Sequence, residues 1–272
     1  MSNKEQEYAQ STFNEVANKY DKIPFFKISA EYVVALINKQ KQKENLEILD
    51  VACGTGNVVL ECASCMPHVS FSAVDISEGM LEKAENNAKR KGLKNISFKL
   101  QDITKMELDK QYDVITCSYA LFFLPDAHEV LKTLVSLLKE EGMVIFTSFR
   151  KDAFSPSSEI LLELLEKYGS ASAKEYDANK WENLRLREDI EHLCSLAGIE
   201  SLHISTKDIR YGMNIDEWWE LFNNTGFKGM LMELSAEDYA LLKEEFYEAM
   251  FKKVDMDGEI ELIADSHFVV VR

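Results

Sequence analysis

Basic residues are scarce in this chain: 31 lysines and arginines stand against 47 aspartates and glutamates, a formal charge of −16 over 272 residues. Such a surface repels phosphate backbones and anionic headgroups, so no nucleic acid and no membrane is expected as a partner. No local basic patch stands out along the sequence to override that average. Long apolar runs are also missing, and those present are strand-sized, too short to span a bilayer. The opening stretch from Met1 to Tyr20 is polar and shows no targeting signal, which leads to the expectation of a cytoplasmic protein. Cysteines number only five, an odd count that argues against a disulfide scaffold. Cys62 and Cys65 form a C-x-x-C spacing, but a second pair and nearby histidines are lacking, and no metal-ligand set emerges elsewhere. Internal repeats and low-complexity tracts are absent as well.

What the sequence does contain is an alternation of strand and helix signals. Residues 5–40 read as two helices around a break at Pro24, with Phe13, Val16, Ala17 and Tyr20 on one face of the first. The polar run from Lys39 to Asn45 reads as a connector. Strands are expected at 46–52, 69–74, 96–100, 112–117 and 142–149, and helices at 57–66, 77–91 and 127–139. Ser77 is a fitting N-cap and Gly92 a fitting stop for the second of these helices. This βαβα order implies a doubly wound, mostly parallel sheet with helices on both faces. Residues 187–197 read as a helix, 199–210 as a strand and 260–272 as the last strand. The chain is thus expected to form one domain. A helical cover spans 5–40, the core sheet is built from 46–150, 187–210 and 260–272, and helical insertions occupy 151–182 and 211–255.

The segment Ile48-Leu49-Asp50-Val51-Ala52-Cys53-Gly54-Thr55-Gly56-Asn57 is a buried strand running into a glycine turn that opens a helix. Glycines there let the backbone come close to a ligand beyond the carboxyl end of the strand. No third glycine follows at dinucleotide spacing, and no G-K-[ST] follows for a phosphate loop. Asp50, just ahead of the turn, is poorly placed for a pyrophosphate and better placed for a cationic ammonium. Asp75 ends the next strand, where an acid can take both hydroxyls of a ribose. Asp102 ends the third, placed to accept from an adenine amine, with Ile103 able to cover the ring. Cys117 to Phe123 close the fourth strand with hydroxyls and aromatics, one side of a pocket. Ala52, Cys53, Ile76 and Gln101 flank these positions and are expected to contribute contacts. Together, in order, these features indicate a nucleoside cofactor.

The runs LDVACGTG (49–56), VDISEGML (74–81), QDI (101–103), YDVITCSYALFFL (112–124) and LLKEEGMVIF (137–146) resemble the class I S-adenosylmethionine-dependent methyltransferases. Within them the chain is similar to the group that includes the ubiquinone and menaquinone biosynthesis enzymes, whose opening FNEVANKYD (13–21) also resembles. The resemblance implies a seven-stranded sheet of order 3-2-1-4-5-7-6 with strand 7 antiparallel. It implies S-adenosyl-L-methionine as cofactor, with Gly54 and Gly56 at its methionine part, Asp75 at the ribose and Asp102 at the adenine. Met80 would lie near the adenine, Tyr20 would close over the methionine part, and Ser118 and Tyr119 would edge the methyl-donor pocket. Where quinone-ring members carry a glycine-leucine-arginine-asparagine stretch, this chain has Ala120-Leu121-Phe122-Phe123.

The resemblance points to transfer of a methyl group to an oxygen, nitrogen, sulfur or carbon of a small molecule. The alternatives are a methyltransferase acting on protein or nucleic acid, and a non-catalytic cofactor-binding protein that keeps the fold. Tyr20, Tyr119 and His128 are the candidate catalytic residues; His192 and His267 read as structural. The insertion 211–255 is rich in large apolar groups, and Trp218 and Trp219 within it are expected to form a substrate wall facing Tyr119 and Phe123. A polar acceptor held by Tyr176, Arg185 or Arg210 is the other possibility. Nothing in the sequence separates a monomer from a homodimer. The charge balance generates a direct expectation: at physiological salt the protein passes through DNA and RNA columns unretained and does not sediment with anionic vesicles.

Overall fold

Five apolar segments, each ending near a glycine, acid or serine, form the parallel heart of a sheet in the computed structural model, which describes residues 3–40, 45–106, 110–124, 126–176 and 180–272. In chain order the elements are α1 (Asn3–Tyr20), α2 (Pro24–Gln40), β1 (Glu47–Val51), α3 (Asn57–Cys65), β2 (Ser70–Asp75), α4 (Glu78–Lys91), β3 (Ile96–Leu100), β4 (Tyr112–Ser118), α5 (Ala127–Ser136) and β5 (Leu138–Phe149). There follow α6 (Ser157–Lys167), α7 (Ala171–Glu175), α8 (Arg187–Leu196), β6 (Leu202–Lys207), β7 (Arg210–Met213), α9 (Ile215–Asn223), α10 (Lys228–Leu231), α11 (Ala236–Phe251), β8 (Ile260–Ile263) and β9 (Ser266–Val271). The main sheet has seven strands in the order β3-β2-β1-β4-β5-β9-β6. The four pairings among β1 to β5 are parallel, whereas β9 runs antiparallel to both β5 and β6. This is the expected sheet, with β9 as its seventh strand in sequence order. Among the described residues no helix is long and apolar enough to cross a membrane.

Two corrections to the element boundaries have local causes. The helix expected to reach Lys139 stops at Ser136, and the strand expected from Gly142 begins at Leu138. Glu141 takes a left-handed φ of 61° and the β4–β5 register shifts between Tyr112 and Val114, so a kinked strand absorbs residues that read as helical. The terminal segment expected as one strand is split at Ala264-Asp265, and β8 leaves the main sheet to pair antiparallel with β7. Part of the polar connector from Lys39 to Asn45 lies outside the described residues.

Alternating side chains send one core to each face of the sheet. Leu49, Val51, Ile115, Phe146 and Val269 pack with α5 and α8 on one side. Ile48, Val114, Ile145 and Phe268 pack with α2 and α3 on the other. A third core lies outside the sheet: Leu161, Leu165, Trp218, Phe222, Leu242, Phe246 and Leu262 bring α6, α9, α11 and β8 together as one helical cap over Phe25, Tyr119 and Phe149. The two insertions therefore share an interior. Helix α4 begins as the sequence foretells, with the Ser77 hydroxyl accepting from the Met80 N–H at 3.1 Å, and ends at Gly92 with a φ of 70°.

Two glycines separate conformational strain from crowding. Gly56 (φ 88°) and Gly92 (φ 70°) are both left-handed, but a Cβ on Gly56 would sit 3.1 Å from the Leu60 side chain and 3.3 Å from Ala84, while one on Gly92 would meet open space. Gly92→Ala is expected to cost about 1–2 kcal/mol from backbone strain alone. Gly56→Ala adds overpacking and is expected to cost about 2–4 kcal/mol. Urea midpoints of the two variants check the ordering.

Candidate active site

The turn after β1 is built from left-handed residues: Ala52 at φ 50°, Gly54 at 56° and Gly56 at 88°. The Gly56 N–H closes it onto the Cys53 carbonyl at 2.9 Å, and the Cys53 N–H reaches the Val74 carbonyl of β2 at 3.0 Å. Gly56 caps α3 but has no side chain with which to satisfy the first-turn N–H groups. Asp50 does this from inside β1. Its Oδ2 accepts from the Val59 N–H at 3.2 Å and its Oδ1 from the Thr116 hydroxyl at 2.7 Å. The carboxyl is 2% exposed, and burial pushes its pKa up to about 7 in spite of both bonds.

Asp75 at the end of β2 ties the turn to the start of α4. Its Oδ2 accepts from the Gly54 N–H at 2.8 Å and its Oδ1 from the Ser77 N–H at 2.9 Å. Burial raises its pKa, although these bonds work the other way. A carboxylate has roughly four acceptor positions, so two backbone bonds leave it capacity for a ligand. At the end of β3 the Gln101 N–H meets the Asp75 carbonyl at 2.8 Å, and the Gln101 Oε1 is buried with no described partner. Asp102 caps the short helical turn that follows, accepting from the Thr104 N–H and hydroxyl, both at 2.8 Å. Ile103 is buried behind it. At the end of β4 the Ser118 Oγ is likewise buried without a described partner.

A cavity of about 40 Å³ opens between these strand ends, lined by Asp50, Ala52, Cys53, Gly54, Ser118 and Tyr119 of the sheet edge and by Tyr20, Phe26, Ser29, Asn57 and Val58 of the helices around it. Burial holds the Cys53 thiol well above its ordinary range. Tyr119 is left-handed at φ 52° and lies stacked on Phe149, with centroids 4.4 Å apart. Its hydroxyl donates to the Ser29 Oγ at 3.0 Å and sits 2.8 Å from the Ser266 Oγ. Burial pushes this phenol up to about 12, and that of Tyr20 also goes up, from burial and then the nearby Asp75 charge. Tyr20 stacks on Phe26 at 4.5 Å. Phe26, Ser29, Asn57 and Val58 are the lining residues that sequence reasoning missed. The only signal for the first two was an aromatic pair after Pro24 and a serine on the apolar face of α2.

Other expected site residues lie elsewhere. Trp218 is fully buried in the cap, where its indole N–H donates to the Ile260 carbonyl at 3.3 Å, and Trp219 packs on Tyr239, Phe246 and Tyr247. Neither lines the cavity: α9 has cap residues on more than one side, so both adjacent tryptophans find a core. Phe123 is 45% exposed and meets Phe13 edge-on at 5.7 Å. Met80 is buried against Val16 and Ala17 between α1 and α4. The Ile76 carbonyl accepts from Gln10 of α1 at 2.9 Å. His128, in the first turn of α5, is 3.6 Å from Glu129 and is not among the lining residues.

Residues 42–223 match the family model described as a methyltransferase domain. The chain is 29% identical to the malonyl-[acyl-carrier protein] O-methyltransferase of Bacillus cereus over 53% of its own length, and it spans about half, 54%, of that relative. It is 30% identical to the demethylmenaquinone methyltransferase of Lactococcus lactis, covering 65% of this chain and 75% of that one. The structure of magnesium protoporphyrin IX methyltransferase from Synechocystis with S-adenosylmethionine bound superposes with a TM-score of 0.53 at 18% identity, covering 75% of this chain and 89% of that one.

The hydroxyl of Tyr119 joins α2 to β9 through Ser29 and Ser266, so its removal has a mechanical consequence. Tyr119→Phe is expected to lower stability by about 1–2 kcal/mol, because the phenol's hydrogen bonds are lost in a buried setting. Ser266→Ala in the same background is expected to add less than it costs alone, since the two share one bond. Denaturation of the four members of this double-mutant cycle measures both.

Proposed function

The chain belongs to the methyltransferase-domain family, and on that premise we propose that it transfers a methyl group from S-adenosylmethionine to a small-molecule nucleophile in the cytoplasm. One observation carries the reading. The carboxyl edge of the sheet gathers a glycine turn, a buried acid and unpartnered polar atoms at consecutive strand ends. A Cβ on Gly54 would meet nothing within 4 Å, which leaves room for a ligand against the turn. The Ser118 Oγ and Gln101 Oε1 are buried and unpaired among the described residues, and such atoms call for a polar partner. In this reading Gly54, Asp50 and Ser118 hold the amino-acid end of the cofactor, Asp75 the ribose, and Gln101, Asp102 and Ile103 the base. The fold likeness to magnesium protoporphyrin IX methyltransferase with S-adenosylmethionine bound supports it.

S-adenosylmethionine supplies, when bound, a methyl carbon already activated by a sulfonium charge. What the chain must add is position and a dry wall. Tyr20, Phe26 and Tyr119 supply the wall. The raised phenol pKa values make Tyr119 and Tyr20 positioning groups and hydrogen-bond donors at neutral pH, not proton acceptors. His128 stands outside the cavity lining, so the reading assigns it no proton.

Calorimetry is expected to show binding of S-adenosylmethionine and S-adenosylhomocysteine, and Asp75→Asn is expected to weaken it by about 10- to 100-fold. Unchanged affinity in a variant that still unfolds cooperatively would remove Asp75 from the site. Asp50 adds a pH dependence with a defined sign. A cationic ligand beside it favours the carboxylate, and in the free protein this group is half-protonated near pH 7. Below about pH 7, binding must therefore expel a proton, and the dissociation constant rises by up to about tenfold per pH unit; above it this dependence levels off. Asp50→Asn is expected to abolish this slope. Titrations in buffers of different ionisation enthalpy count the proton directly.

A further inference from the structure

The chain has six arginines, and four of them line a single pocket of about 240 Å³ beyond the end of β5: Arg150, Arg185, Arg187 and Arg210, with Lys151 beside them. Five cations thus face two lining carboxylates, Asp152 and Asp265, in a protein whose overall charge is −16. The pairing inside the pocket is uneven. Asp265 is taken up by Arg210, whose Nε lies 3.1 Å from both carboxylate oxygens. Arg150 lies 3.1 Å from Asp208 and 3.7 Å from Asp265. Arg187 reaches Glu191 at 3.4 Å. Among the described residues Arg185 donates to two neutral groups, the Lys151 carbonyl at 3.1 Å and the Tyr176 hydroxyl at 2.8 Å. Among the described residues no carboxylate pairs with Arg185 or Lys151. Arg210 also lies 3.9 Å from Glu261, so Asp265, Asp208, Glu191 and Glu261 balance the three paired arginines, and Arg185 and Lys151 are the cations left to meet an anion.

The back wall is His267, 6% exposed. Its Nε2 lies 3.1 Å from the Arg185 carbonyl, which can only accept, so the neutral ring carries its proton there. Nδ1 is then an acceptor buried with no described partner. Burial, and then the charges of Arg150 and Arg187, lower its pKa against the Arg185 bond. A concave site holding an arginine with no described carboxylate partner, oriented by the Tyr176–Arg185 bond and with Lys151 beside it, has the chemistry of anion recognition; Nδ1, an acceptor in the neutral ring, adds no donor to it.

We propose that this pocket binds a small ligand through a group bearing at least two anionic oxygens, a phosphate ester or a dicarboxylate. The site is separate from the strand-end cavity: none of its lining residues is shared with that cavity. The proposal does not depend on methyl transfer. Its charge is set by residues 150–151, 185–187 and 210, far apart in sequence and collected by the ends of β5, β7 and the start of α8.

Calorimetric titration with inorganic pyrophosphate and with succinate, at low ionic strength, tests it. Saturable binding of at least one is expected, and the better of the two identifies the class of anion. Arg185→Gln is expected to weaken it by about tenfold or more. Because Arg185 also braces the Tyr176 segment, Lys151→Gln is the second variant; this exposed side chain supports no described contact, and a loss of about threefold or more is expected. Arg90→Gln, on α4, is the remote control and is expected to bind as the parent does. The proposal is overturned if neither anion binds saturably, or if all three variants weaken binding equally, or if Lys151→Gln and Arg185→Gln bind like the parent while folded.

Discussion

The hydrogen bond from the Gly54 N–H to the Asp75 carboxylate, 2.8 Å long, is the constraint on which the edge of the sheet turns. It ties the left-handed turn after β1 to the end of β2, and the other oxygen of the same group fixes the start of α4. Two helices thereby leave adjacent strands in set directions, and a concavity remains between them. Asp50 repeats the arrangement one step inward, capping α3 from within a strand where the glycine at the cap position cannot. Both carboxyls are buried, and burying such groups is costly unless they are hydrogen-bonded. Bonds to several separate elements compensate that cost and make the edge rigid.

Helix α1 depends on that edge and connects it to the cap. Gln10 and Asn14 bond to Ile76, Ser77 and Gly79, all at or beyond the end of β2. On its cap side α1 lies so close to α10 that a Cβ on Gly229 would overlap the Tyr8 ring and the Thr12 hydroxyl. Lys19 reaches Glu220 of α9 at 3.3 Å, an exposed pair worth little by itself. The close approach at Gly229 and the burial of Val16, Ala17 and Met80 do more, because they remove apolar surface from water. The cap could not stand alone as two insertions: α6 and α11 cover each other's apolar faces, and Trp218 closes the interior onto β8.

Most of the sheet was legible because each strand is an apolar run bounded by a residue with a definite backbone role, such as Gly54, Ser77 or Gly92. The acids at the strand ends were legible as polar groups in an apolar setting, and Asp50 lines the cavity with Gly54, Ser118 and Tyr119. What could not be read was long-range. Leu138 and Lys139 fit a helical period, and only pairing with β4 makes them strand. Trp218 and Trp219, expected at a substrate wall, point about 100° apart on α9. A cap with neighbours on several sides of α9 buries both. Of the arginine cluster only Arg185 and Arg210 were legible, singly, as holders of a polar acceptor; that they gather with Arg150 and Arg187 was not, because the four lie in three separate stretches of an acidic chain.

The start of β9 shows how one edge serves two concavities. Strand residues alternate between faces, so Ser266 and His267 must part company. Ser266 meets the Tyr119 hydroxyl, on the side of α2 and the strand-end cavity, while His267 meets the Arg185 carbonyl on the side of α5 and α8. β5 makes the same division, with Phe149 stacked on Tyr119 and the Ser148 hydroxyl bonded to the Leu184 carbonyl. The Arg150 N–H meets the Asp265 carbonyl at 2.8 Å immediately above. Two paired strand ends therefore separate an aromatic cavity from a basic one across the thickness of a single sheet. Displacing either strand end would disturb both cavities, so the antiparallel β5–β9 pairing is what keeps their opposite polarities apart.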